Sequence, residues 1–135
     1  MRTWAIVSGV LFTVGALAIC GWSRSGAAEA AKDAPVLHVV LFQFKPDASA
    51  GDASALIADS HRLLKQIPVV EDLHVGRKAL DQREVHIKDY DVALYIKFKK
   101  AADVQIYSDH PKHVEFANKY RPKTASIRVA DFYSE

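Results

Sequence analysis

The residues best suited to chemistry form a short run in the second half of the chain, from Tyr107 to His113. His110 and His113 stand three positions apart, a spacing that places two side chains on one face of a helix. Tyr107 stands three positions before His110, and tyrosine and histidine are both competent general acids and bases. We therefore take Tyr107 and His113 as candidate catalytic residues and His110 as a candidate binding residue.

A second set of candidates lies on the first strong strand pattern, where His38 and Phe42 share one face. We expect this face to point into the same space as the tyrosine-histidine run, which makes both residues candidate binding residues. Each candidate also has a structural interpretation. His110 before Pro111 suits the start of a helix, and His113 and Tyr107 suit hydrogen-bonded core positions.

A metal site would need the histidines to converge with further ligands. Imidazole is a common ligand, but no carboxylate stands at a matching spacing beside them. The sequence also contains no glycine-rich phosphate loop. We therefore predict neither a metal site nor a cofactor.

Hydrophobic periodicity divides the chain after Pro35 into alternating strands and helices. In the first strand both faces are apolar, so we expect it to be covered on both sides. In the first helix Leu56 and Leu63 lie on an apolar stripe, while Asp59 lies off it. The predicted strands are 36–44, 69–78, 90–99 and 124–133, and the predicted helices are 53–66, 101–107 and 111–120.

The order β-α-β-β-α-β predicts a ferredoxin-like α+β fold, with one four-stranded antiparallel sheet and helices on one side. The uncovered sheet face still carries apolar side chains, and a second copy of the sheet would cover it. We therefore expect a homodimeric α+β barrel whose interior is large enough to hold a small ligand.

Two segments resemble a known family. His38 to Lys45 is similar to the opening strand of the stress-responsive A/B barrel (Dabb) domain, and Tyr107 to His113 resembles that family's Tyr-x-x-His-Pro-x-His segment. The resemblance covers about residues 36–134 and implies a dimeric α+β barrel. A few family members resemble aromatic polyketide cyclases. By position, the resemblance implies Tyr107 and His113 as an acid–base pair, with His38 lining the same pocket.

The first 30 residues predict an export segment. Arg2 is followed by an uncharged apolar run from Trp4 to Trp22, and Ala28-Glu29-Ala30 fits a signal-peptidase site. A retained membrane anchor is the alternative, and lipidation at Cys20 is a third interpretation. Residues 31–35 form a linker, and 36–135 form the domain. We expect a periplasmic, secreted or membrane-anchored protein that meets the membrane only through an uncleaved segment.

Composition limits the remaining partners. Basic and acidic side chains nearly balance, with a formal net charge of +2, so no basic surface for nucleic acid is predicted. The expected ligand is a small apolar or aromatic molecule. Two functions stay open at this point: a dimer that is structural or binds its ligand passively, and a cyclase- or lyase-like enzyme that uses Tyr107 and His113.

Overall fold

The computed structural model describes residues 33–134 as one antiparallel sheet with three helices on one face. The predicted export segment and the start of the linker lie outside the described residues. The elements are β1 (Val36–Phe44), α1 (Asp52–Arg62), β2 (Val70–Arg77), β3 (Val92–Phe98), α2 (Ala102–Asp109), α3 (Pro111–Tyr120) and β4 (Thr124–Tyr133). The predicted β-α-β-β-α-β order and the ferredoxin-like fold are confirmed.

The strand order across the sheet is β2–β3–β1–β4, so the apolar β1 is an inner strand. It pairs with β3 on one side, where Val40 faces Leu94, and with β4 on the other, where His38 faces Asp131. Because side chains alternate along a strand, this register places His38, Val40 and Phe42 on the inner face. The inner face, which the helices cover, therefore carries the candidate residues of β1.

The core fills the space between the inner sheet face and the helices. Leu56 of α1 and Phe98 of β3 have no exposed surface, and Phe116 of α3 packs edge-on against Phe42. The outer face differs, since Val39, Leu41 and Tyr95 on that side are only half-buried.

The largest differences from the predicted helix bounds are at two C-terminal ends, and proline explains both. The first helix ends at Arg62 and continues as a 3-10 turn over Leu64–Gln66, because Ile67 before Pro68 is extended. The second continues to Asp109 and stops at His110, which is extended before Pro111. In residues 33–134 no helix combines the length and apolar character that crossing a bilayer requires.

Asp59 is the main departure from the predicted surface pattern, because it is only 8% exposed. Its carboxylate accepts hydrogen bonds from Arg62 Nε (3.0 Å), Lys119 Nζ (2.7 Å) and the Tyr120 hydroxyl (2.7 Å). Burial alone would raise the pKa of Asp59, but these three donors outweigh it and lower the pKa to about 2. This Asp59 cluster ties α1 to α3.

Candidate functional site

A cavity of about 240 Å³ lies between the inner face of the sheet and the helices α2 and α3. This volume falls just below the range of about 300–1,000 Å³ that is usual for small-molecule sites, so it suits a small ligand. Ile127 and Val129 on the edge strand β4 are 39% and 53% exposed, so this wall reaches solvent. The lining residues are His38, Val40, Phe42, Leu94, Tyr107, Ser108, His113, Phe116, Ala117, Tyr120, Arg121, Ile127 and Val129.

The break between α2 and α3 brings Tyr107 and His113 together. His110 is extended, and its Nδ1 accepts a hydrogen bond from the Lys112 backbone N–H at 3.2 Å, which caps α3. The chain therefore turns between the two helices, and the Tyr107 and His113 rings meet with their centroids 4.5 Å apart.

His113 has one ring nitrogen occupied and one available. Its Nδ1 lies 2.8 Å from the Ser108 carbonyl oxygen. Because a carbonyl only accepts, Nδ1 carries the proton, and Nε2 of the neutral ring keeps its lone pair. Burial lowers the pKa of His113, and this outweighs the opposing effect of the Ser108 hydrogen bond. The ring is thus held neutral, with a basic nitrogen, in the pH range where an exposed histidine would be partly charged.

Tyr107 is only 2% exposed, although its side chain lines the cavity. Burial alone raises the pKa of Tyr107, with no contribution from a charge or hydrogen bond of residues 33–134. In that part of the chain no fully buried side-chain polar atom lacks a partner. We conclude that the hydroxyl reaches the cavity it lines and remains a protonated donor.

His38 completes a row of three rings along the cavity wall. Its ring packs edge-on against Tyr107, with the centroids 5.9 Å apart. Its Nδ1 lies 2.6 Å from Asp131 Oδ1, and because the carboxylate accepts, Nδ1 donates. This hydrogen bond joins residues that face each other across β1 and β4, so the ladder fixes the ring. The orientation leaves Nε2 of His38 as the unshared nitrogen.

The other predicted binding residues divide between the cavity and the helix start. Phe42 lines the cavity and packs against Phe116. His110 does not line it, because its ring is used to cap α3. Residues 33–134 contain no group of three or more His, Cys, Asp or Glu side chains arranged to hold a metal ion.

The structure adds three residues to the site: Ser108, Arg121 and Asp131. Asp131 could have been found by aligning β4 against β1, since the register that pairs Phe42 with Ile127 also pairs His38 with Asp131. The Ser108 contribution is a backbone carbonyl, which no side-chain pattern signals. Arg121 lies in the 3-10 turn after α3, and the sequence gives no sign that this turn borders the cavity.

The arrangement so described belongs to a known family. A family model described as the stress responsive A/B barrel domain, or Dabb, matches residues 36–134. The chain is a member of the Dabb family. This match spans both segments on which the resemblance was based, the β1 strand and the Tyr107 to His113 run, and the predicted family is confirmed.

Named relatives include enzymes. Olivetolic acid cyclase from Cannabis sativa is 22% identical over 97 residues, which cover 72% of this chain and 94% of the cyclase. Among solved structures, the hydroxynitrile lyase of Passiflora edulis superposes with a TM-score of 0.67 at 22% identity, covering 76% of this chain and 95% of the lyase. At these identities the structural likeness shows the fold alone.

A third comparison concerns assembly. A protein from Thermobifida fusca, described as dimeric and ferredoxin-like, superposes with a TM-score of 0.66 at 18% identity. The superposition covers 76% of this Dabb chain and 93% of that protein. The Dabb domain thus shares its fold with a protein that is described as a dimer.

Proposed function

We propose that this Dabb protein binds a small, largely apolar molecule in the cavity and catalyses a proton transfer on it. The observation that carries the proposal is the pairing of a neutral His113 with a protonated Tyr107 on the wall of one cavity. Burial favours the neutral form of both rings. A neutral imidazole accepts a proton and a neutral phenol donates a hydrogen bond, which are the two roles that acid–base catalysis requires.

His113 acts as the base in this proposal. Its Nε2 lone pair takes a proton from an acidic C–H or O–H of the ligand, and the ring then carries the positive charge. The Ser108 carbonyl, at 2.8 Å from Nδ1, stabilises that cation and holds the ring in place. The proton returns from Nε2 to the product, so His113 is regenerated in its neutral form.

Tyr107 acts on the oxygen that gains negative charge as the proton leaves. Its hydroxyl donates a hydrogen bond to a carbonyl or alkoxide oxygen of the ligand, in an apolar setting that strengthens the interaction. Ring closure of an aldol type and lyase cleavage both develop charge on an oxygen in this way. The cyclase and lyase among the relatives support this reaction class.

Assembly and export are part of the same proposal. The half-buried apolar side chains on the outer sheet face, Val39, Leu41 and Tyr95, support a homodimer formed through that face. The apolar run before the domain supports export with cleavage before Ala31. Native mass spectrometry of the exported protein should give twice the mass of a chain beginning at Ala31. A monomer, or an uncleaved chain, would contradict the corresponding part.

The catalytic part is tested with a thermal-shift screen of small carbonyl compounds and phenols, followed by turnover assays on the compounds that stabilise the protein. His113→Asn keeps a donor near the Ser108 carbonyl but removes the basic Nε2, so it should bind the ligand and lose about 100-fold or more in turnover. Tyr107→Phe should show a loss of similar order.

His61→Asn is the matched control, since His61 is exposed on α1 and does not line the cavity. It should retain wild-type turnover. If a compound is bound and converted, and both cavity variants convert it at the wild-type rate, the acid–base roles of His113 and Tyr107 are wrong. A compound that stabilises the protein and is never converted would favour the passive ligand-binding function.

A further inference from the structure

Three cationic side chains follow one another around the end of α3, and two of them have structural partners. Lys119 Nζ donates to Asp59 at 2.7 Å, and Lys123 Nζ donates to Asp52. Arg121, between them, lines the cavity and forms no ion pair with any residue of the described part of the chain. Its charge therefore has no assigned structural role, in contrast to the lysines on either side.

Arg121 is exposed to solvent and also lines the cavity, where no lining carboxylate of the described residues balances its charge. Among the described residues that line it, Arg121 is the one with a permanent charge, and no aspartate or glutamate is present. Three carboxylates lie close to the cavity residues, and all have donors. Asp59 accepts from the Tyr120 hydroxyl at 2.7 Å. Asp131 accepts from His38 at 2.6 Å, and Asp109 accepts from the Gln105 amide at 2.9 Å.

The field of Arg121 reaches the base. Burial is the main reason why the pKa of His113 is lowered, and the positive charges of His38 and then of Arg121 lower it further. The C-terminal end of α3, where Arg121 lies, carries about half a negative charge from the helix dipole. The full charge of the guanidinium exceeds this partial charge, so this end of the cavity stays positive.

From these observations we infer that the ligand is an amphipathic monoanion, whose carboxylate pairs with Arg121 while its apolar body fills the cavity. The inference rests on the proposed ligand-binding function and names its substrate class. A guanidinium offers two parallel N–H donors that match a carboxylate. One cation balances one negative charge, and the apolar walls formed by Phe42, Leu94, Phe116 and Val129 suit an aromatic or alkyl body.

The test compares acids with neutral molecules of the same shape. Isothermal titration calorimetry measures the binding of 4-alkylbenzoates, with chains from ethyl to pentyl, and of the matching 4-alkylbenzamides. The wild-type protein should bind the best benzoate about tenfold or more tighter than its benzamide, as expected for a charge-assisted hydrogen bond. Arg121→Gln should bring this ratio close to one, mainly by weakening the benzoate.

Two further variants show whether the change comes from the charge at this position. Arg121→Lys keeps the charge without the planar fork, so it should retain part of the preference for the acid. Arg83→Gln removes the same charge from the exposed loop between β2 and β3, away from the cavity, and should keep the wild-type ratio. Unchanged benzamide affinity in Arg121→Gln shows that the variant is folded.

The outcomes separate this inference from the function on which it rests. Equal affinity for acid and amide in the wild-type protein would overturn the monoanion and leave the pocket intact. A wild-type preference that persists in Arg121→Gln would overturn the role of Arg121. No binding of either series would count against the pocket itself and against this inference together.

Discussion

Two clusters of the domain, the Asp59 cluster and the cavity site, contain similar residues but are partnered in opposite ways. In the Asp59 cluster, the Tyr120 hydroxyl and the Lys119 ammonium both donate to one buried carboxylate. In the cavity, the hydroxyl of Tyr107 and the guanidinium of Arg121 have no such acceptor among the described residues. Tyr120 belongs to both clusters, because its hydroxyl donates to Asp59 and its side chain also lines the cavity.

The two clusters also differ in the charge state of their buried groups. Donors hold Asp59 in its charged form against the effect of burial, so its charge stabilises the contact between two helices. Burial keeps His113 and Tyr107 neutral, because few compensating charges surround them. A buried polar group whose bonds are complete stabilises the fold, whereas one that faces a cavity with free capacity can act on a ligand.

The largest expected effect on stability comes from a substitution that breaks the Asp59 cluster. Asp59→Asn keeps the shape of the side chain but removes the charge that Arg62, Lys119 and Tyr120 share. We expect the free energy of unfolding at pH 7 to fall by about 2 kcal/mol, since the donors no longer stabilise a buried charged carboxylate. Urea denaturation monitored by circular dichroism measures this change.

The pH dependence of stability gives a second test of the Asp59 cluster. The pKa of Asp59 is about 2 in the folded protein, against 3.8 for a free side chain. The unfolded chain therefore binds the proton first, and the stabilising contribution, full above about pH 5, is lost as the pH falls through 3.8 toward 2. The difference between wild type and Asp59→Asn should shrink over that range. Asp81→Asn, which breaks an exposed ion pair with Lys78, should cost less than about 0.5 kcal/mol.

The second expected effect compares the two tyrosines directly. Tyr120→Phe removes a hydroxyl that donates to Asp59 at 2.7 Å, and we expect it to cost about 1–2 kcal/mol in the free energy of unfolding. Tyr107→Phe removes a hydroxyl without a partner in residues 33–134, so its cost should stay within about 0.5 kcal/mol. Equal costs, measured by the same urea denaturation, would mean that Tyr107 is also a structural donor.

The fold could be predicted because its signals are local and agree with one another. Hydrophobic periodicity indicated the order of strands and helices, and Pro68 and Pro111 marked two helix breaks. The exact helix ends could not be predicted, because they depend on whether the last turn tightens into a 3-10 form before a proline.

The candidate site was predictable only in part. Tyr107 and His113 were found because their spacing and residue types are visible along the chain. Asp59 was placed off the apolar stripe of α1, since a helix pattern does not show that α3 supplies Lys119 and Tyr120 to bury it. Arg121 and Asp131 join the site through contacts between distant segments, which no local pattern records. The two clusters differ in which distant side chains contact each other, and the pattern of residues along the chain does not contain this information.

The smallest expected effect links the two unpartnered groups of the cavity. Arg121→Gln removes a positive charge that disfavours the imidazolium form of His113, so the pKa of His113 should rise, although burial keeps it below 6.5. Histidine resonances followed by NMR between pH 4 and 8 measure this pKa, and Arg83→Gln should leave it unchanged. Because the folded pKa lies below the unfolded one, protonation of the unfolded chain lowers stability as the pH falls below about 6.5, and this loss should be smaller in Arg121→Gln. An unchanged His113 pKa would mean that the charge of Arg121 has no effect on the base. The cavity groups would then lack the electrostatic coupling that joins the members of the Asp59 cluster.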